Sequence, residues 1–317
     1  MTDTQNEVFK TPVNKIRLFE HVAPGSQNLK LTRKYYTEDM PDGRVKHIVQ
    51  NITDPDIVPY IPDGIGNSTD RQRIPAVLII PGGAFRRLVY NFEGEDVAKW
   101  LNSMGIAAFV LECRLPSDEH DNAEDVPLID AMRAMRVIRG RAQEFGIDEA
   151  KIGVMGFSAG GFMAALLSTA YESDVYADYK YKDEYDKLSA RPDFAVCSYP
   201  VISIDDCIEA GKRYMSEEQV LERISDSKAK ILHKYNPDKL VRPDMPPVFI
   251  CETDDDRTTL SENSVGFYMA ARKAGVSAEL HIFRTGGHGY GCGDDFAQTG
   301  EWKVLFTKWI KSIGILS

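Results

Sequence analysis

Between residues 74 and 312, short apolar runs alternate with longer segments whose apolar positions recur at helical spacing. The short runs lie at residues 76–80, 106–112, 151–157, 193–200, 246–252 and 278–283. The segments with helical spacing lie at residues 93–105, 127–145, 159–170, 262–274 and 301–312. Continuous β-rich runs bounded by Gly or Pro are typical of strands buried on both faces. Repeated βα units of this kind predict an α/β fold, with a mostly parallel central sheet flanked by helices.

Three regions depart from this alternation. Residues 1–70 contain short alternating segments at Leu29–Tyr36 and Val45–Gln50 with Pro-Asp-Gly turns nearby, so we expect an antiparallel sheet edge there. Residues 171–191 carry five tyrosines among many charges, and residues 205–236 form a polar helical excursion between two predicted strands. Each of these last two regions is a candidate lid, and solvated surface helices are the alternative interpretation of both.

Composition limits the class of protein. The chain has 317 residues, 43% of them hydrophobic and 27% charged, which is typical of a globular protein with its own core. No repeat or linker divides it, so we predict a single domain over residues 1–317. The net charge of -10 argues against nucleic acid and anionic membranes as partners. Because neither a signal peptide nor a long apolar run is recognised, we expect a cytoplasmic protein without a membrane span.

Candidate chemistry centres on Ser158, in the pentapeptide GFSAG at residues 156–160. This GxSxG pattern lies where the predicted strand 151–157 turns directly into the predicted helix 159–170. A nucleophile on such a tight turn needs glycine two residues before and two residues after it, because larger side chains would collide with the backbone. We therefore predict that Ser158 is a nucleophile, the alternative being a Gly-rich helix start packed against a strand.

A candidate base and a candidate acid follow Ser158 in the chain. His288 lies in a Gly-rich loop just past the strand predicted at 278–283. The remaining histidines precede Ser158, lie in the polar excursion or lie inside a strand: His21, His47, His120, His233 and His281. Three adjacent aspartates at residues 254–256 follow another predicted strand, and mutual repulsion leaves one of them to point at His288. The order Ser, Asp, His is that of the α/β-hydrolase triad.

Upstream, the segment PGGAF at residues 81–85 follows the first buried strand. A Gly pair in that position is where backbone N–H groups of an oxyanion hole are expected, because glycine lets the backbone approach the developing charge. We predict that Gly82 and Gly83 act with the N–H of Ala159, which follows the candidate nucleophile. Ala84 remains an alternative donor, and a simple turn is the alternative interpretation of the Gly pair.

These segments resemble the α/β-hydrolase esterase family of acetyl-xylan and feruloyl esterases, relatives of the hormone-sensitive-lipase-like carboxylesterases. The resemblance is carried by PGGAF, FEGEDVAKWLNSMGIAAFVLECRLP, PLIDAMRAMRVIR, IDEAKIGVMGFSAGGFMAA and MPPVFICETDDDRTTLSENSVGFYMAARKAGVSAELHIFRTGGHGYG. The family has PGGGY where this chain has PGGAF, so Ala84 replaces a glycine. The family's acid loop resembles TADDxVVPVENS. Matching it backward from residues 262–264 favours Asp256 as the acid, counting forward from the strand favours Asp255, and we predict Asp256.

The resemblance implies an α/β-hydrolase fold with small lid-like insertions. It also implies hydrolysis of an ester by Ser158, His288 and Asp256 through an acyl-enzyme, with no metal and no organic cofactor. The expected substrate is a small-molecule ester with acetyl, other short or aromatic acyl groups on a sugar or oligosaccharide. A homo-oligomer is compatible with the sequence, which leaves the oligomeric state open.

Three other functions compete with this one. They are a generic short-chain carboxylesterase, a peptidase, and a catalytically silent hydrolase-fold binding protein. The peptidase is disfavoured because the chain has no room for the extra domain that such relatives use. Hydrolysis of 4-nitrophenyl acetate would separate an esterase from the silent protein.

Overall fold

The computed structural model describes residues 9, 12–65, 73–225, 230–293 and 298–316. Parts of the predicted regions 1–70 and 205–236 therefore lie outside the described residues. Within those ranges, none of the helices combines the length and the apolar character that crossing a membrane requires.

The strands form a large sheet and a small one. Within the described ranges they are β1 (Ile16–Arg17), β2 (Lys34–Asp39), β3 (Val45–Gln50), β4 (Asp56–Tyr60), β5 (Ile74–Ile80), β6 (Leu88–Val89), β7 (Ala107–Glu112), β8 (Ile147–Phe157), β9 (Ala195–Ser198), β10 (Val248–Thr253) and β11 (Ala278–Phe283). The large sheet has the order β1-β4-β7-β5-β8-β9-β10-β11. In that order, all neighbours from β7 to β11 pair in parallel. Strand β4 pairs antiparallel with both of its neighbours, β7 and β1. The predicted mostly parallel sheet is confirmed.

Helices cover this sheet. In the same ranges they are α1 (Asp96–Ser103), α2 (Val126–Gly140), α3 (Ala142–Phe145), α4 (Ala159–Ala170), α5 (Ile204–Tyr214), α6 (Glu217–Ser225), α7 (Lys230–Lys234), α8 (Ser261–Lys273) and α9 (Glu301–Ser312). Every residue of β7 and β10 is buried, so both faces of the sheet are covered there. The predicted segment 127–145 becomes two helices, because helix α2 ends at Gly140 and α3 begins at Ala142.

The N-terminal part contributes to both sheets. Strands β2, β3 and β6 form a separate three-stranded antiparallel sheet, while β1 and β4 extend the edge of the large one. The segment Val45–Gln50 is the strand that the sequence predicts. The segment Leu29–Tyr36 is misplaced by the prediction, because the strand begins only at Lys34 and continues to Asp39, where it pairs with Val45.

The parallel strands bring four loops together. Strands β5, β8, β10 and β11 point the same way, so the segments that follow them lie at one edge of the sheet. Those segments contain the Gly pair at 82–83, Ser158, the aspartates at 254–256 and His288. The fold thus brings the predicted site residues to one place.

Candidate active site

Ser158 occupies a strained turn between β8 and α4. Its backbone has φ 54° and ψ -119°, a conformation that side-chain-bearing residues rarely adopt. The turn is held because the Ser158 amide donates to the Ser198 carbonyl at 3.0 Å and the Phe162 amide donates to the Ser158 carbonyl at 3.0 Å. Strain of this kind occurs where the surrounding structure fixes a functional residue.

The flanking glycines are required by close backbone contacts. A Cβ atom on Gly156 would lie 1.9 Å from the carbonyl oxygen of Gly160. A Cβ atom on Gly160 would lie 1.9 Å from the carbonyl oxygen of Ile80, at the end of β5. A side chain at position 156 would therefore distort the nucleophile turn itself, and one at position 160 would push the turn away from the end of β5.

His288 lies between the candidate nucleophile and one of the three aspartates. Its Nε2 is 2.8 Å from Ser158 Oγ, and its Nδ1 is 2.7 Å from Asp256 Oδ2. With the proton on Nδ1, the imidazole donates to Asp256 and accepts from the Ser158 hydroxyl. Asp256 is 2% exposed and Ser158 9% exposed, whereas the His288 side chain is 21% exposed and faces the cleft.

Asp256 is itself anchored by its own loop. Its Oδ1 accepts from the amides of Thr258 at 2.7 Å and Thr259 at 3.0 Å, and its Oδ2 accepts from the Thr259 hydroxyl at 2.9 Å. Burial acts to raise the pKa of Asp256, but the contacts with His288 and these amides outweigh it and lower that pKa. The carboxylate facing His288 is therefore held in its ionised form.

The neighbouring aspartates are placed differently. Asp255 is exposed, and its Oδ1 accepts from the amide of Gly287 at 2.8 Å. Desolvation acts to raise the pKa of Asp255, but the amides of Gly286 and Gly287, in the loop that carries His288 (the histidine loop), lower it. Asp254 is exposed as well. Asp255 thus ties the acid loop to the histidine loop, whereas Asp256 contacts the imidazole.

The predicted oxyanion donors differ in whether their amides already have a hydrogen-bond acceptor. The amide of Gly82 donates to Glu93 Oε2 at 2.8 Å, so the prediction that Gly82 offers a free donor is wrong. In the part of the chain that the structure describes, the amides of Gly83 and Ala159 have no such acceptor. Gly83 has φ 138°, and its Cβ would lie 2.1 Å from the Arg87 carbonyl oxygen. Ala84 adopts φ 56°, the left-handed conformation that glycine tolerates better.

Glu93 and Tyr199 are site residues that the sequence analysis missed. Glu93 lies in the π-helical turn Asn91–Glu95 before α1 and is 5% exposed. Its Oε1 accepts from the Tyr199 hydroxyl at 2.9 Å, and that hydroxyl accepts from the Gly291 amide at 3.1 Å. The edge of the Tyr199 ring contacts His288, with ring centroids 5.1 Å apart. This network joins the loop after β5 to the histidine loop, and no local sequence pattern announces it.

Two buried carboxyl groups, those of Glu93 and Glu252, lie near the candidate triad. Burial raises the pKa of Glu93, although the nearby His288 acts to lower it. Burial and the adjacent Asp256 carboxylate raise the pKa of Glu252 well above its usual range. Glu252 Oε1 accepts from the Thr253 amide at 2.8 Å, so its position is fixed by its own strand end. Among the described residues, no group of three or more His, Cys, Asp and Glu side chains is placed to hold a metal ion.

A cleft of about 260 Å³ opens onto Ser158 and His288. Its walls come from the loop after β5, the acid loop, the histidine loop and the small sheet. The lining residues are Met40, Arg44, Lys46, Gly83, Ala84, Arg87, Val89, Phe92, Glu93, Ser158, Thr258, His288 and Gly289. Most of the charged side chains in this set are cationic, and residues 171–191 contribute none of it.

The tyrosine-rich stretch 171–191 packs on helix α2. Arg133 forms an ion pair with Asp186 at 3.1 Å, and its guanidinium lies 5.5 Å from the centre of the Tyr185 ring. The hydroxyl of Tyr176 donates to Asp186 at 2.8 Å. Arginines of α2 thus hold Tyr176 and Tyr185, and the residues that line the cleft at Ser158 come from other segments.

Two further parts of the chain lie near the site. Tyr290, next to His288, is 5% exposed and packs against Tyr199 with ring centroids 4.5 Å apart, so it points into the protein and not into the cleft. In the described part of the excursion 205–236, Arg213 pairs with Glu262 in the first turn of α8 at 2.9 Å. The function of the excursion as a lid stays a prediction.

Comparison with known proteins gives a consistent picture. A model of the family described as BD-FAE matches residues 65–270. An acetylxylan esterase of Xylanibacter ruminicola is 31% identical over 240 residues, which are 75% of this chain and 45% of the relative. Endo-1,4-beta-xylanase B of Butyrivibrio fibrisolvens is 31% identical over 227 residues, 71% of this chain and 34% of the relative. The chain thus spans less than half the length of these two curated relatives.

A solved structure is similar over most of its length. It is the crystal structure of an acetyl ester-xyloside bifunctional hydrolase from Caldicellulosiruptor lactoaceticus, with 36% identity and a TM-score of 0.66. The match covers 83% of this chain and 90% of that chain. The α/β-hydrolase fold predicted from the sequence is confirmed.

Proposed function

The chain belongs to the BD-FAE family, and from this premise we propose that it is a serine carboxylic-ester hydrolase acting on acylated sugars or oligosaccharides. The observation that carries the proposal is the hydrogen-bonded chain from Ser158 Oγ to His288 at 2.8 Å and from His288 to Asp256 at 2.7 Å. The same three residue types in this arrangement perform acyl transfer to water on several unrelated folds. The cytoplasmic location stays a prediction from the sequence.

In the proposed reaction, His288 Nε2 accepts the hydroxyl proton as Ser158 Oγ attacks the ester carbonyl carbon. Asp256 holds the imidazole in the required tautomer and stabilises the cation that forms. The tetrahedral intermediate collapses as His288 gives the proton to the leaving alcohol oxygen, leaving an acyl-enzyme. Water, deprotonated by the same nitrogen, then releases the carboxylic acid and restores the serine.

The proposed oxyanion hole consists of the amides of Gly83 and Ala159, with Ala84 as the alternative to Gly83. Donors fixed before the reaction stabilise the charge without reorganising, which makes their position important. The Gly82 amide is held by the buried Glu93 carboxyl, so Gly82 anchors the loop while the next residues face the cleft. Glu93 is proposed as a positioning residue for this loop.

Replacement of Glu93 tests that arrangement. Glu93→Leu leaves the Gly82 amide and the Tyr199 hydroxyl without their acceptor, and we expect kcat to fall about 10²-fold while KM changes little. Glu93→Gln should keep most of the activity, since the amide oxygen can still accept from Gly82. Affinity for a boronate that forms a tetrahedral adduct with Ser158 should fall in parallel with kcat. Equal damage by both variants would show that the charge, and not the loop position, matters.

The substrate class is proposed from the relatives and the cleft. The similar proteins are named as an acetylxylan esterase and an acetyl ester-xyloside hydrolase. The cleft of about 260 Å³ is lined by a mixture of charged, polar and apolar side chains and is slightly smaller than the usual range of ligand sites, ~300–1,000 Å³. Acetyl and other short acyl groups on a polar alcohol fit such a space better than a fatty acyl chain does. Aromatic acyl groups remain within the proposal.

Acyl preference is measured with a series of 4-nitrophenyl esters. We expect kcat/KM to be highest for acetyl or butyryl and to fall for octanoyl and palmitoyl, because a cleft of about 260 Å³ has little room for a long acyl chain. Purified protein should also release acetate from an acetylated xylo-oligosaccharide. A maximum at octanoyl or longer, without acetate release from the sugar, would place the protein among lipase-like esterases. Activity on simple esters with none on the sugar would favour a generic short-chain carboxylesterase.

A further inference from the structure

The cleft at Ser158 has a cationic wall in a protein that is strongly acidic overall. Arg44 and Lys46 come from the β2–β3 hairpin, and Arg87 lies just before β6. The chain as a whole has a net charge of -10. A local concentration of positive charge against that background raises the local concentration of anionic substrates.

Two of the three cations are already paired. Arg44 pairs with Asp42 at 2.8 Å, and Arg87 pairs with Glu38. Glu38 also lies directly opposite Lys46 in the β2–β3 ladder, but its carboxylate pairs with Arg87. These pairs hold the wall in place but leave little of its charge uncompensated.

Lys46 is different, because it has no ion-pair partner among the described residues. It is half-buried in the wall of the cleft. The acidic residue of the lining is Glu93, on which the charge of Lys46 acts to lower the pKa, but both Glu93 carboxyl oxygens already accept from Gly82 and Tyr199. An ammonium group that is partly desolvated and unpaired gains from an anionic ligand.

We infer that Lys46 is the centre of a carboxylate subsite, so that the favoured substrate is a sugar ester that carries an acidic group. This inference rests on the proposed esterase function and adds the charge of the substrate to it. The ammonium group of Lys46 donates to the substrate carboxylate while the ester carbonyl lies at Ser158.

The test compares matched esters that differ in one carboxylate. In one arm, an O-acetylated methyl glucuronoside is compared with the same acetylated methyl glucoside. In the other, the 4-nitrophenyl monoester of succinic acid is compared with 4-nitrophenyl butyrate, which places the carboxylate on the acyl side. We expect kcat/KM to favour the acidic member in at least one arm by about twofold to fivefold, the size of a partly exposed ion pair. The arm that shows the preference tells which side of the ester the subsite binds.

Lysine variants separate charge from packing. Lys46→Met should remove the preference, so that kcat/KM falls further for the acidic esters than for their neutral counterparts, whereas Lys46→Arg should keep the preference. Lys311→Met is the matched control, because α9 ends beside the start of β8, at the edge of the sheet away from Ser158. It removes the same charge far from the cleft and should change neither ratio. The preference of the unchanged protein should also shrink as ionic strength rises.

The possible failures are distinguishable. Equal kcat/KM for acidic and neutral esters in both arms, or equal loss on both in Lys46→Met, overturns the carboxylate subsite while the esterase function stands. Failure to hydrolyse any of the four esters overturns the esterase function, and the subsite with it.

Discussion

Replacing Ser158 with alanine is expected to lower kcat for 4-nitrophenyl acetate by about 10⁴-fold or more. The hydroxyl that lies 2.8 Å from His288 Nε2 supplies the atom that attacks the carbonyl, and alanine has nothing to replace it. Binding of the ester should change little, since the cleft walls stay in place. Steady-state kinetics on protein purified free of host esterase measures both quantities.

The control for this variant is Ser168→Ala on the same helix, α4. The Ser168 hydroxyl is buried and donates to the Ala164 carbonyl at 2.7 Å, within the helix and without contact to His288. It loses a comparable hydroxyl, so kcat should stay within about threefold of that of the unchanged protein. Retention of more than about a tenth of kcat by Ser158→Ala would contradict the assignment of the nucleophile.

Asp256→Asn is expected to lower kcat by about 10³- to 10⁴-fold. The carboxylate oxygen 2.7 Å from His288 Nδ1 fixes the tautomer that leaves Nε2 free to accept the serine proton. An asparagine side chain can donate to Nδ1 and so favours the wrong tautomer. The lowered pKa of Asp256 keeps its carboxyl ionised in the folded enzyme. The carboxylate should therefore continue to fix the His288 tautomer through the mildly acidic range. Turnover at saturating substrate is the appropriate measurement.

The neighbouring aspartates supply matched controls for that change. Asp255→Asn should cost less than about tenfold, because the asparagine oxygen can still accept from the Gly287 amide at the position that Asp255 occupies. Asp254→Asn removes a charge from an exposed side chain and should be nearly neutral. If Asp255→Asn instead proves the more damaging change, the acid has been assigned one residue out of register.

The prediction of the acid from sequence depended on a count that the sequence alone does not fix. Matching the loop backward and counting forward from the strand lead to adjacent residues, Asp256 and Asp255. Their separation in space follows from the loop conformation: the Thr258 and Thr259 amides turn Asp256 inward, and the Gly287 amide holds Asp255 at the surface. A contact between residues 32 positions apart in the chain is a tertiary property, which periodicity does not encode.

The oxyanion loop gives a similar lesson. The Gly pair at 82–83 marks the loop correctly, but the two amides are distinguished by a carboxyl that arrives from the turn before α1. Glu93 lies in an ordinary acidic stretch of sequence, and nothing local indicates that it is buried. Its burial follows from the packing of that turn against the end of β5, next to Tyr199.

The sequence by itself determined the alternation of strands and helices and the strand ends that carry the site, since these depend on hydrophobic period and on glycine and proline at the boundaries. It also predicted that Ser158 lies on a tight strand-to-helix turn, because local backbone contacts require glycine at positions 156 and 160. The tertiary structure decided which aspartate meets His288, which amide Glu93 occupies, and that Tyr176 and Tyr185 contact arginines of α2. Those outcomes depend on side-chain contacts between segments far apart in the chain, and such contacts exist only once the sheet has brought the segments together.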